Sequence, residues 1–395
     1  MTIRSESFLA HGTAAEAAAS LVREARAAFG ERGPRLLFVF ASTAQPLAEL
    51  AAIIGPALSE TLILSASTAG EFTERGDRKG AVTAIAFDGD FVCSGDVGRG
   101  LAADVEGAID RALSSQALRV PGYAHQTAVL LLDPLAGHAE EAALLLAMKL
   151  GDQARIAGGA AGDDLAMKRT FVGCNGVVAS DAAVVALLHT RHPLGIGVRH
   201  GHRAYSDAFV ITDAEGSLVK TIDSKPAWPF WREAVRPAAA AAGFDVDAIT
   251  PEQAGPLLLR FEGALDVGRE IKVRAPLSIE GDAIRFACEI PVGSRVKITE
   301  SSADGQVVSA VEAARIARAQ LGEDAVAGAV VFDCICRNLI LAERFGDAVR
   351  GMSEALGGAR LAGFETYGEI ALIEGDLSGF HNTTSVVLAF GERDG

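Results

Sequence analysis

The apolar positions of the chain change period several times, and the changes divide it into elements. Residues 14–29 (AAEAAASLVREARAAF) place apolar side chains every three or four positions, the repeat of an amphipathic helix, and Pro34 follows as a stop. Residues 36–40 (LLFVF) form a continuous apolar run of the kind found in strands buried on both faces. A helical stretch over 47–54, an apolar run over 61–65, a small-residue turn ending in Gly70-Glu71 and a strand over 81–87 complete a β-α-β-loop-β order.

The order returns twice. Residues 128–132 read as a strand, 138–150 as a helix, and a short strand near Arg155 leads into Gly158-Gly159-Ala160-Ala161-Gly162-Asp163-Asp164, with strands over 171–178 and 183–189 beyond. Leu36 stands as far from Gly70 as Ala128 does from Gly162, which suggests duplication. A third copy has a strand over 329–332, a helix over 340–356, the segment Gly363-Phe364-Glu365-Thr366-Tyr367-Gly368-Glu369 and a strand over 384–390. Each copy thus carries Gly followed by Glu or Asp, so Glu71, Asp163 and Glu369 are candidates to line one cleft; solvated turn carboxylates are the plainer alternative.

Between the second and third copies the pattern alternates apolar and polar residues over 208–222 and 271–300, broken by Glu215-Gly216, Gly281 and Pro291, as in antiparallel hairpins. The expected fold is α/β, with mixed, largely buried sheets from repeated β-α-β units and a hairpin-rich antiparallel insertion in the second module. The expected divisions are an N-terminal helical extension over 1–33, a first module over 34–199 and a second over 200–395.

Composition narrows the function. Of 395 residues, 49% are hydrophobic, and 36 Lys and Arg stand against 51 Asp and Glu, a net charge of −15 that repels phosphate backbones and anionic lipid. Nucleic-acid binding and membrane insertion are therefore not expected. The first residues lack a continuous apolar signal region, and the 5 cysteines are scattered, which points to reduced thiols in a cytoplasm.

P-loop, GxSxG and HExxH motifs are absent from the sequence. Cys334 and Cys336 would share one face of a strand and read as small buried hydrophobes more readily than as metal ligands. Arg337 beside them suits bidentate recognition of a ligand carboxylate, or a structural ion pair with an acidic turn. His200, His202 and His381 are the histidines placed to approach a metal or haem iron.

Five segments together resemble the signatures of the FIST family: Ser65-Ala66-Ser67-Thr68-Ala69-Gly70-Glu71, Gly158 to Asp164, Phe332-Asp333-Cys334-Ile335-Cys336-Arg337, Gly363 to Glu369, and His381-Asn382-Thr383-Thr384. The resemblance covers nearly the whole chain. It implies a bacterial or archaeal sensory protein with FIST N-terminal and C-terminal modules that binds a small ligand and regulates a separate partner, such as a histidine kinase. The stand-alone members include haem-binding nitric-oxide sensors, for which His200 and then His381 are the candidate axial ligands. The alternative is an amino-acid sensor, in which Arg337 takes the carboxylate and Glu71, Asp163 or Glu369 the ammonium. A third reading, a cysteine-dependent enzyme, pairs Cys334 with His381.

Overall fold

The computed structural model describes residues 2–151, 154–268, 271–373 and 379–393. Three times the chain runs through strand, helix, strand, helix, strand, short hairpin and strand. The first strands are Arg4–Ala10, Val92–Arg99 and Gly195–His200, and the second are Leu36–Ala41, His125–Leu132 and Val326–Cys334. The third strands are Leu62–Ser67, Ile156–Ala160 and Arg360–Thr366, and the last are Val82–Asp88, Ala182–Thr190 and Thr384–Gly391. Second and third strands pair in parallel across a helical crossover, as β-α-β units do.

The hairpins are exchanged around a ring. The first repeat's hairpin (Glu71–Thr73, Gly76–Arg78) pairs with the third strand of repeat three. The second repeat's (Val172–Cys174, Val177–Ala179) pairs with repeat one, and the third repeat's (Glu369–Leu372, Phe380–His381) with repeat two. The outcome is three six-stranded sheets with one strand order, each closed by a strand pair from a neighbour. The exchange covers what would be an exposed parallel edge.

The inner faces of the three sheets meet in one core. Phe38, Phe40, Leu131, Val184, Phe332, Phe364 and Phe390 are all fully buried there, with Phe40 on Phe364 at 4.5 Å between ring centroids and Phe87 stacked on Phe390 at 3.9 Å. Helices cover each outer face: Ala14–Phe29 and Leu47–Ala57, then Val105–Leu113 and Ala139–Leu150, then Ala303–Ala319 and Phe345–Ala355. Strands buried on both sides are why these segments read as unbroken apolar runs.

The insertion lies inside repeat three, between Gly195–His200 and Ala303–Ala319. It is a nine-stranded antiparallel sheet running from His202–Ala204 to Arg295–Ser301, with its own core around Trp231, Phe261 and Phe286.

The α/β character and hairpin-rich insertion agree with the sequence, but several boundaries differ. Residues 1–33 are not a helical extension: Arg4–Ala10 pairs along its length with Val82–Asp88 and opens the first repeat. The division at 200 cuts repeat three, whose first strand precedes it and whose other strands resume after the insertion. The strand expected over 171–178 is a hairpin turning at Asn175 and Gly176, both left-handed (φ 47° and 87°), the geometry of a type I′ turn. The helix expected over 340–356 is two, Ile335–Leu341 and Phe345–Ala355. No described helix is long and apolar enough to cross a membrane.

Candidate functional site

The strand ends of repeat three collect buried carboxylates. Asp333 and Glu365 are register partners on the parallel strands Val326–Cys334 and Arg360–Thr366, so their side chains share a face. Arg337, one turn into the following helix and fully buried, donates from Nε to Asp333 (2.8 Å) and from its terminal nitrogens to Ser309 Oγ (2.8 Å), the Gln306 carbonyl (2.9 Å) and the Gln306 side chain. Four donated bonds inside the protein leave this guanidinium little to offer a ligand. It is the structural ion pair, made with Asp333 of its own repeat.

Glu71 and Glu369 occupy matching places. Thr68 donates to Glu71 and Thr366 to Glu369, each three residues ahead, and the second oxygen of each carboxylate accepts a backbone N–H, from Ala81 (3.3 Å) and Thr384 (3.0 Å). Burial raises the pKa of Glu71 to about 7 against these bonds, and raises Glu369 well above the usual range. Glu365, raised by burial and by Asp333 to about 8, packs over Gly70, where a Cβ would stand 2.5 Å from its carboxyl carbon. Glu262 of the insertion is raised by burial to about 8, and the Thr383 hydroxyl, with one proton to donate, lies 2.9 and 2.7 Å from its two oxygens.

The matching place in repeat two does not hold Asp163. The Ser67 N–H bonds the Phe171 carbonyl (2.9 Å) where, in the other repeats, Glu365 N–H bonds Gly70 and Ala160 N–H bonds Gly368 (2.8 and 2.7 Å). The residue after each carbonyl is therefore Val172, Glu71 and Glu369 in turn, and the equal spacing of Gly70 and Gly162 is a coincidence of loop length. Asp163 instead closes its own loop, accepting Tyr367 Oη–H (2.6 Å) and the N–H groups of Met167, Lys168 and Arg169 (2.8, 2.6 and 2.9 Å); these bonds outweigh burial and lower its pKa. The glycines before it serve close packing: a Cβ on Gly158 would stand 1.9 Å from the Leu130 carbonyl oxygen.

The remaining candidates are engaged. Cys334 is buried and its thiol is pushed well up by burial and by Cys336, the reverse of an activated nucleophile. His381 Nε2 donates to the Ala371 carbonyl (3.3 Å), and burial beside Lys272, Arg274 and His200 lowers its pKa to about 3. An iron centre would add positive charge to those surroundings. His200 Nδ1 accepts the His202 N–H (3.3 Å), which puts the proton of a neutral ring on Nε2, the nitrogen that would have to bind iron. Iron binding at these two rings is disfavoured by the proton on His200 Nε2 and by the cations beside His381, whose Nδ1 is the nitrogen left open by the bond to Ala371. Among the described residues no hydrogen bond joins Cys334 to His381.

An open cleft adjoins this network. It has a volume of about 770 Å³ and lies between the helix Ala139–Leu150 of repeat two and the insertion. Glu140, Glu141, Leu145 and Met148 form the helix wall, and Glu215, Ala287, Cys288 and Glu289 the opposite lip. Tyr367 and Phe380 line it between the walls, and both hold the Thr366-Tyr367-Gly368-Glu369 turn: a Cβ on Gly368 would stand 2.2 Å from the Phe380 ring. The back is closed by Glu140, which accepts from the buried Arg274 (3.1 and 2.8 Å) and Lys272 (3.1 Å) of the insertion. Sequence reasoning found none of these wall residues. The alternation of Lys272 and Arg274 in an apolar strand was a signal, but nothing in sequence ties them to Glu140.

A FIST N domain model matches residues 35–225, and a FIST C domain model matches residues 229–372. A search of curated proteins finds no match to this chain. FIST domains are ligand-sensing domains of signal transduction. The boundary between the two matches falls inside the insertion rather than between repeats, and together they cover most of a ring of three repeats: the chain belongs to the FIST family.

Proposed function

We propose that this protein is a cytoplasmic sensor whose small ligand, an amino acid or a similar metabolite, binds in the cleft between the helix Ala139–Leu150 and the insertion, and that a separate signalling protein such as a histidine kinase reads the result. The observation that carries this reading is that the cleft has one wall on each of two separately cored bodies. A ligand shifts an equilibrium only if it binds one arrangement better than another, and a ligand touching both walls senses their separation directly. Its size lies within the range of small-molecule pockets, and domain junctions are a common place for them. The turn from Thr366 to Glu369 reaches from the cleft into the buried carboxylates, so movement of Tyr367 would be felt at Asp163 and Glu369.

The test is thermal unfolding with a panel of amino acids and metabolites, on the natural protein and on Ala287→Trp, which fills the cleft from an exposed position. A compound that raises Tm in the first and not in the second supports the reading. A shift retained in Ala287→Trp moves the site elsewhere.

A further inference from the structure

The insertion is joined to the ring along residues 380–383 by polar contacts. Arg274 donates to the Phe380 carbonyl (3.4 Å), the Ala275 N–H and the Cys288 thiol donate to Asn382 Oδ1 (3.3 Å each), and the Thr383 hydroxyl donates to Glu262. Thr383 does so from a left-handed conformation (φ 49°), which a β-branched residue keeps only when its surroundings fix it. Glu262 is the member of this joint whose charge has no counterpart. Its side chain is fully buried, and no arginine or lysine among the described residues lies within ion-pair distance of it. Arg260 is turned to Glu300, Lys272 and Arg274 to Glu140, and Arg337 to Asp333.

The group that does face Glu262 is His202, also fully buried, with Nε2 3.7 Å from Glu262 Oε2. Thr299 fixes the tautomer of this ring. Its hydroxyl gives its proton to the Glu262 carbonyl (2.9 Å), so it accepts from His202 Nδ1 (3.1 Å), and Nε2 of the neutral ring is left as a lone pair without a partner. Two acceptors therefore face each other unless one of them carries a proton. The surroundings choose Glu262: burial, His200 and Arg337 disfavour an imidazolium at His202, while burial and Glu369 disfavour a carboxylate at Glu262.

We propose that Glu262 and His202 hold one buried proton that closes this joint, and that its loss at alkaline pH frees the insertion from residues 380–383 while the ring stays folded. A charged Glu262 would have one hydroxyl as its donor and a lone pair in front of it, and parting the joint to admit water relieves that charge. Burial raises Glu262 from 4.5 to about 8, so the folded state keeps the proton below that pH and loses it above. Because the insertion carries one wall of the cleft, the joint also sets how far the walls stand apart. The inference does not depend on what the cleft binds.

The experiment is hydrogen exchange of the full chain at about pH 6 and about pH 9.5, corrected for the intrinsic rate, on the natural protein and on Glu262→Gln. The glutamine keeps the shape, can donate to His202 Nε2 and cannot charge. In the natural protein, protection at residues 380–384 and 263–266 should fall about tenfold more than in the ring strand Leu36–Ala41. In Glu262→Gln the joint and the ring strand should change alike. Lys272, lowered by burial to about 8, titrates in the same range with the opposite sign but is present in both proteins, so the comparison isolates the carboxyl. An equal fall at both places in the natural protein overturns the inference without any need for the variant to fold. A joint that opens in Glu262→Gln as it does in the natural protein also overturns it.

Discussion

Asp333 and Glu365 face one another across two parallel strands, both buried, and Asp333 alone of the two is bonded to an arginine. The difference decides how each tolerates its surroundings. Asp333 keeps a charge partner, although burial still raises its pKa; Glu365 has the Asn338 amide on one oxygen and no hydrogen-bond partner on the other. A carboxyl in that position is held neutral.

Removing the arginine should therefore cost far more than removing the pair. Arg337→Met leaves Asp333 buried and unpaired, a loss of about 3–5 kcal/mol. Asp333→Asn combined with Arg337→Met should recover a large part of it. Urea unfolding of the single and double variants checks this, and additive losses would show that the two residues do not act as a pair.

The raised carboxyls set a pH dependence. Glu71, Glu262 and Glu365 have folded values near 7 to 8, above the ordinary value of 4.5, so the folded state holds their protons when the unfolded state has released them. Their contribution is fully present below about pH 4.5 and is lost as pH rises toward 8, by up to about 1.4 kcal/mol per pH unit for each group. Urea stability should fall between pH 5 and 8 for this reason. Glu365→Gln, neutral at every pH, should flatten the fall and be more stable than the natural protein at pH 8. An unchanged slope would mean that Glu365 is charged in the fold.

Tyr367 ties the cleft to an exposed loop. Its Oη donates to Asp163 and accepts the Leu165 N–H (2.8 Å), and the loop it holds contains Asp164, Leu165 and Met167 in left-handed conformations (φ 53°, 65° and 52°). Such residues persist only when their surroundings over-determine them. Tyr367→Phe should speed hydrogen exchange at the amides of residues 165–169 by about tenfold, with a global cost of about 1 kcal/mol. Exchange that stays at the natural rate would show that Asp163 holds the loop unaided.

The histidines give a direct measurement on haem. Protein expressed with haem precursor should not acquire one haem per chain through His200 or His381, since the His200 proton sits on Nε2 and His381 is buried beside Lys272 and Arg274. A stoichiometric Soret band that is lost in His200→Ala or His381→Ala would restore the haem and nitric-oxide reading.

The strand and helix order of each repeat was legible because strands buried on both faces must be apolar throughout, and helices with one covered face must show their period. Residues 36–40, 128–132 and 329–332 announce themselves in this way. The first strand of each repeat was not read. Arg4–Ala10 and Val92–Arg99 are edge strands of mixed polarity with partly exposed faces, and their apolar pattern is correspondingly weak.

The candidate residues divide along the same line. Sequence alone determined that Glu71, Glu369 and Cys334 stand at strand ends and that Arg337 lies just past one, because a turn motif and an apolar run are local. Tertiary structure decided what they do there. Whether Arg337 meets a ligand or Gln306 and Ser309 depends on how a helix 28 to 31 residues earlier is packed. Whether Asp163 corresponds to Glu71 depends on which carbonyl a neighbouring strand bonds, and equal spacing along the chain carries no information about that pairing. The cyclic hairpin exchange and the cleft, whose walls come from repeat two and the insertion, are likewise products of packing between residues remote in sequence, where contact is set by complementary surfaces and not by any local period.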